Sequence, residues 1–499
     1  MDTLTQDYKK KEEKFSESYT ENRERLKERL ALDISFDVGV RDLTILGKQI
    51  GIYYVTGLTD NEYLIEILKE LMDLDARGRK TSDVHKAIEN HLTHVQVEQT
   101  DSMDDAITQM LSGLVFVLLE GSTKVFVVDV RNYPGRGPEE PDTERVVRGA
   151  RDGYTENIIM NTGLTRRRIR DERLRHEILQ VGVRSKTDIC VSYIEGIADP
   201  DLVNIVKKEL KAINIDGITM ADKVVEEYIV KQGYNPFPLV RYTERPDVAA
   251  THLLEGHIVL IVDTTPSVII TPTTLFHHVQ HAEEYRQSAA VGSFLRFMRF
   301  TGIMFSLFIL PFWLLLATNQ DLLPQSLEFI GPEETKHIPI VLQIVFGEMG
   351  IELLRMAAIH TPSPLATALG LVAALLIGDM AVQVGYLTPE VILYVSLGAI
   401  GMFATPSYEL GVALRMVRYL FLFSVAFFKV PGLVIAFLVF VLFLCSTKPF
   451  NKPYLWPFLP FSPPEMWQIL IRATVPSLKW RPSIVNPQDK IRQKEENSQ

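Results

Sequence analysis

Glu348 and Glu352 stand four residues apart, and Asp379 and Gln383 repeat that spacing. A separation of four puts both side chains of each pair on one face of a helix. All four lie in apolar surroundings, within 338–356 and 366–387. An ionised side chain at the centre of a bilayer costs at least about 2.5 kcal/mol, so such groups line an aqueous path, relay protons or pair with one another. Arg355 follows Glu352 by three residues and can neutralise it locally, which makes Glu352 and Arg355 a structural ion-pair candidate. Asp379 has no basic neighbour in sequence and leads the pore-lining candidates, ahead of Gln383, Glu348 and Glu352. Carboxylates beside a pore would favour cations by raising their local concentration.

Other chemistry finds less support. His277, His278 and His281 precede the first long apolar run, with Glu283 and Glu284 beyond them. A His pair at i and i+4 can ligate metal, but the remaining ligands are not evident, so an interfacial helix is the better reading and no metal is expected. There is no Gly-rich Lys-Ser/Thr phosphate loop, no His-Glu-x-x-His and no nucleophile elbow. Gly121-Ser122-Thr123-Lys124 lacks the spacing for phosphate. The chain is therefore expected to have no catalytic residues, to need no cofactor and not to be an enzyme. Cys190 and Cys445, far apart, support neither a disulfide framework nor a zinc site. A net charge of -10 argues against nucleic acid as a partner.

The elements that must hold the carboxylates are hydrophobic helices. A length of 499 residues implies two or more domains. A mean hydropathy near zero conceals charge gathered in the first 300 residues and apolar runs after them. Residues 300–318 carry no formal charge and are long enough to cross a bilayer. Further spans are expected at about 338–356, 366–387, 391–404, 412–429 and 431–446, giving five to six membrane segments within 286–447. The segment 338–356 is expected either to span or to be re-entrant. The run from Val412 to Cys445 would measure about 51 Å as one helix, against a hydrocarbon core of about 30 Å, so a hairpin turning at Lys429-Val430-Pro431-Gly432 fits better. Arg286, Arg296 and Arg299 before the first span, and Arg415 and Arg418 at the start of the hairpin, are membrane-interface candidates. The loop after the first span is acidic, so the positive-inside rule places both termini in the cytoplasm.

The first half reads as duplicated. Val38-Gly39-Val40-Arg41 recurs as Val181-Gly182-Val183-Arg184, Tyr54 to Asp60 resembles Tyr193 to Asp199, and Leu118-Leu119-Glu120-Gly121 recurs as Leu253-Leu254-Glu255-Gly256. Each copy predicts a strand (50–55, 189–194), a cap at Asp60 or Asp199, a helix, and a pair of strands (114–119 with 125–130, 258–262 with 268–270). The expected organisation is a charged tail over 1–30 without a signal peptide, an α/β subdomain over 31–130, a linker with a basic helix over 131–175, and a second subdomain with a juxtamembrane helix over 176–285. The membrane bundle and a Pro-rich, basic cytoplasmic tail over 448–499 follow. The Arg166-Arg167-Arg168 run reads as a solvated linker helix in preference to a lipid contact. The fold class is α+β: duplicated cytoplasmic α/β subdomains followed by an all-α transmembrane bundle.

Several stretches resemble the GerA-type A subunits of bacterial spore germination complexes over nearly the whole chain. They are Arg151-Asp152-Gly153-Tyr154-Thr155-Glu156-Asn157, Asn161-Thr162-Gly163-Leu164 with Arg166 to Arg168, Glu195 to Pro200, and Gly292-Ser293-Phe294-Leu295-Arg296. In the membrane half come Glu352-Leu353-Leu354-Arg355, Ala374 to Gly378, Pro406 to Leu410 and Lys452-Pro453-Tyr454-Leu455. Phe403 to Glu409 points to the sporulation-operon branch of that family. The resemblance implies a spore inner-membrane protein that forms homo-oligomers, works with a second membrane subunit and contributes to a channel releasing monovalent cations during germination. Where the family often has Gln after Ile-Gly, this chain has Asp379. Two other readings stand beside the channel: a non-conducting scaffold subunit, whose membrane charges would be paired and buried, and a secondary transporter.

Overall fold

The computed structural model describes residues 13–76, 84–91, 96–133, 144, 146, 148–319, 321, 330–332, 338–360 and 378–493. It divides into two compact units. The first comprises Met1–Gly233, Val240–Pro272 and Val475–Gln499; the second comprises Tyr234–Leu239 and Thr273–Thr474.

The first unit opens with α1 (Tyr19–Leu30), β1 (Val38–Ile45), β2 (Lys48–Val55), α2 (Asn61–Ala76), α3 (Val84–His91), β3 (Val97–Thr100), α4 (Met103–Met110), β4 (Val115–Leu119) and β5 (Val125–Val128). The strands form an antiparallel sheet in the order β1-β2-β4-β5-β3. Leu46 and Gly47 both take positive φ, which lets a two-residue turn join β1 to β2. Strand β4 reads Val-Phe-Val-Leu-Leu because both of its faces are covered. Val115, Val117 and Leu119 pack with Leu64, Ile67 and Leu71 of α2, while Phe116 and Leu118 join Leu26 of α1 and Ile107 of α4. The period-2 alternation of a strand thus feeds two cores.

The second subdomain repeats this order: α5 (Ile158–Arg168), β6 (Leu174–Val181), β7 (Thr187–Ile194), α6 (Pro200–Ala212), α7 (Ala221–Val230), β8 (Arg241–Thr243), α8 (Pro246–Glu255), β9 (Ile258–Val262) and β10 (Val268–Thr271). Its sheet order, β6-β7-β9-β10-β8, is the same. Asp199 caps α6 by accepting from the Asp201 N–H, and Leu202, Val206 and Leu210 face the core. The topology carries the duplication more firmly than the tetrapeptides do. Val38 begins β1 whereas Val181 ends β6, and Leu118–Gly121 leaves a strand whereas Leu253–Gly256 ends a helix. Of the three matches, only Tyr54 and Tyr193 stand at equivalent places, each one residue before the end of its strand.

Three stretches expected as tail or linker belong to this unit. Phe15 and Leu26, from the charged N-terminal stretch, lie in the first core. Arg166 of α5 is 1 % exposed, its guanidinium donating to Asp37 at 2.9 and 3.1 Å and to the Leu174 carbonyl at 3.1 Å. The basic helix is therefore a buried support between the subdomains and not a solvated linker. Near the C-terminus, Arg492 pairs with Glu255 at 3.0 Å, the Gln488 N–H donates to the Ile197 carbonyl, and Val485 is buried. His176, Cys190 and Ser192 are also buried side by side, with 2.8 Å between His176 Nδ1 and Ser192 Oγ. Burial lowers the His176 pKa to about 4 and pushes the Cys190 thiol up.

The second unit is helical: α9 (Ala282–Arg286), α10 (Ala289–Thr318), α11 (Ile340–His360), α12 (Pro389–Phe403), α13 (Tyr408–Ser446) and α14 (Pro463–Leu470). Within α13 the backbone breaks at Lys429 (φ 53°, ψ -134°). The Phe421 and Phe440 rings lie 5.9 Å apart, where a straight helix would separate them by about 28 Å. The chain reverses there, and a Cβ on Gly432 would collide with the Ser424 carbonyl.

The expected count of five to six membrane segments is corrected. Among the described residues, two helical elements, α10 and α13, are long and apolar enough to cross a membrane by length and composition. Three charges interrupt α11, α12 has only 15 residues, and most of the 366–387 run lies outside the described residues.

Candidate functional site

The sequence-singled carboxylates of α11 meet arginines from α13. Glu348 and Glu352 share a face of α11 with Arg355, while Arg415 and Arg418, three apart, share a face of α13. Arg418 Nη2 lies 2.5 Å from Glu348 Oε2, and Arg418 Nη1 donates to the Ser306 carbonyl of α10 at 2.8 Å. Glu348 is 2 % exposed and Arg418 is as deeply buried. Glu352 pairs with both Arg355 and Arg415. The Arg355 guanidinium also sits 4.7 Å from the centre of the Tyr408 ring. Two carboxylates thus face three guanidiniums, a local excess of one positive charge.

Small residues make room for this cluster. A Cβ on Gly398 of α12 would approach Arg418 Nη1 to 3.1 Å, and one on Gly401 would collide with the Gly302 carbonyl of α10. The backbones of α10 and α12 therefore come close enough to hold the Ser306 carbonyl in place for Arg418. Gln343, fully buried on α11, accepts from the Thr388 N–H at 2.8 Å and so ties α11 to the start of α12. Glu348 Oε1, Arg415 Nε and Arg418 Nε make no hydrogen bond among the described residues. Buried polar atoms of this kind are costly to leave bare.

Asp379 and Gln383 lie apart from the cluster. They sit on a short helical stretch at 378–383 with both side chains exposed, and among the described residues Asp379 has no ion-pair partner. The interface candidates divide. Arg286 is exposed, whereas Arg296 turns inward to Glu284 at 2.7 Å, Arg299 meets the same carboxylate, and Arg415 and Arg418 lie in the cluster. His277 Nδ1 accepts from the Thr274 N–H at 3.0 Å, and His281 Nδ1 accepts from the Glu283 N–H at 3.2 Å, so both imidazoles cap short helices. Sequence reasoning missed the partnership of Glu348 with Arg418. Its signal was present, since two arginines at helical spacing within an otherwise apolar run need partners as much as glutamates do.

The chain matches the family model described as Bacillus/Clostridium GerA spore germination protein over residues 24–484. The chain belongs to the GerA family. This GerA protein is 56 % identical to Stage V sporulation protein AF of Bacillus subtilis over 487 residues, covering 98 % of this chain and 99 % of that one. It is 31 % identical to Spore germination protein KA of the same organism over 467 residues, with 92 % and 85 % covered. Among solved structures, the N-terminal domain of the A subunit of the Bacillus megaterium spore germinant receptor GerK3 is similar at 29 % identity with a TM-score of 0.42, covering 53 % of this chain and 98 % of that one. The sporulation and germination character expected from the sequence is thereby established at the level of the family.

Proposed function

We propose that this GerA-family chain is a multi-pass subunit of the dormant spore's inner membrane, with cytoplasmic termini, that assembles with further copies of itself and a second membrane subunit to conduct monovalent cations during germination. The observation that carries the membrane half of this reading is the apolar surface of the helical unit. The unit buries Glu348 and Arg418 while presenting Phe427, Phe428, Ile435 and Leu442 outward, Phe427 being 77 % exposed. A surface of large apolar side chains, with the charges turned inward, suits lipid and not water. Asp379 supports the conducting half, because it is the candidate carboxylate whose charge no described arginine offsets.

Reconstituted liposomes test this directly. Asp379→Asn is expected to lower cation flux while leaving insertion intact, and unchanged flux overturns the role given to Asp379. The pairing of Glu348 and Glu352 favours a second reading, a non-conducting scaffold whose membrane charges are structural. Purified protein that assembles but shows no conductance, alone or with its partner subunit, selects that reading.

A further inference from the structure

After the α13 hairpin the chain runs through Pro453-Tyr454-Leu455-Trp456-Pro457-Phe458-Leu459-Pro460-Phe461-Ser462-Pro463-Pro464-Glu465-Met466-Trp467-Gln468-Ile469-Leu470-Ile471. Between Lys452 and Arg472 only Glu465 carries a charge. A run this apolar invites reading as another membrane span, yet its backbone forbids it. The one α-helix it contains, α14, has 8 residues, about 12 Å, and the preceding prolines leave backbone groups that lipid could not satisfy.

The segment is nonetheless held firmly at both ends. Tyr454 is fully buried, its hydroxyl donating to the Pro238 carbonyl at 2.9 Å. At the other end Arg296 donates to the carbonyls of Gln468 and Ile469 at 2.7 and 2.9 Å. Arg472 donates to the Tyr285 carbonyl, and its N–H to Ser293 Oγ. Between these anchors Phe458, Leu459, Phe461, Trp467 and Leu470 point outward, with Phe461 65 % and Trp467 62 % exposed. The start of α10 behaves alike: Phe294, Phe297 and Met298 are exposed, while Arg296 and Arg299 turn inward to Glu284. Charges inside and aromatic side chains outside, on an anchored segment too short and broken to span, is the pattern of an element lying in the headgroup boundary of a bilayer, where Trp and Phe are favoured.

We propose that residues 458–471, together with the first turns of α10, form a membrane-interface element whose outward side chains rest among phospholipid headgroups and upper acyl chains. Lipid is the occupant because the element continues directly from the apolar α13 hairpin, with the exposed Lys448 at the junction to meet anionic headgroups. The proposal rests on the membrane reading given above.

The test uses the full chain in phospholipid vesicles, comparing the wild type with Trp467→Phe for quenching of tryptophan emission by lipids brominated near the headgroup, brominated deep in the acyl chain, or by acrylamide in water. The wild type is expected to carry a component quenched best by shallow bromine, and Trp467→Phe to lose it. Phe461→Trp on the Trp467→Phe background is expected to restore it, which also guards against a variant that misfolds. A Trp467 component quenched by acrylamide and not by brominated lipid overturns the proposal, as does one shielded from both and released on dilution of the protein into excess lipid, which would mark a second copy as the occupant. Alkaline extraction of the same vesicles separates the two readings. Protein stripped off by alkali defeats the membrane assignment itself, whereas protein that stays with the lipid but shows no shallow component defeats only the interface element.

Discussion

Two buried ion pairs, one in each unit, show how differently the same chemistry is housed. Arg166 and Asp37 are sealed between two α/β subdomains whose apolar side chains point to interior cores. Arg418 and Glu348 are sealed within helices whose large apolar side chains point outward. In both units the pair sits among mainly apolar buried side chains; what differs is the surface, where the second unit presents Phe427, Phe428, Ile435 and Leu442 outward. The lesson is that a buried charge pair reports the arrangement around it and not the solvent, which is read from what lies outside.

The sharpest way to break this comparison is to remove one partner. Arg418→Leu, leaving Glu348 buried without its guanidinium, is expected to cost about 3–5 kcal/mol of stability. Thermal unfolding of the full chain in nanodiscs measures it. Adding Glu348→Leu should recover most of the loss, and a double variant no better than the single one would show that the pair is not the unit that matters. Asp37→Ala strands Arg166 in the same way but keeps the Leu174 carbonyl as an acceptor, so a loss of about 3 kcal/mol is expected, confined to the first unit as read by limited proteolysis.

Acid sharpens the contrast. His176 has its pKa lowered to about 4 in the folded chain by burial, below its unfolded value of about 6.5. The unfolded state therefore binds the proton first. The stabilisation is complete above pH about 6.5 and is lost as pH falls toward about 4, amounting to about 2 kcal/mol between pH about 6.5 and about 5. Denaturant titrations across that window check it, and His176→Gln should flatten the slope. The smallest effect is expected at the α6 cap, where Asp199→Ala should cost about 1 kcal/mol; a change indistinguishable from zero would assign that helix end to packing alone.

The central strands of both sheets were legible, because Val-Phe-Val-Leu-Leu and Ile-Val-Leu-Ile-Val are runs that only strands covered on both faces need. The edge strand β3, Val-Glu-Gln-Thr, was not, since half-exposed edges carry little apolar signal. The charged N-terminal stretch hid α1 because Leu26 and Leu30 are sparse among Glu, Lys and Arg and yet sufficient to enter the core. In the helical unit, composition exposed the carboxylates but could not supply their partners. Arg418 stands 70 residues from Glu348, and no periodicity spans such a gap. The same blindness made Arg296 look like a headgroup contact when it is a clamp on α14.

The strap of residues 475–493 on the second subdomain has a consequence for counting. Glu255 holds Arg492, and the Ile197 carbonyl holds Gln488, so the chain's last stretch belongs to the same body as its first. A polypeptide that leaves a body on one side of a bilayer and returns to that body must cross an even number of times. On the membrane reading proposed above, these two contacts make the number of crossings even, and releasing the strap with Arg492→Glu would remove that restraint without touching a single apolar side chain.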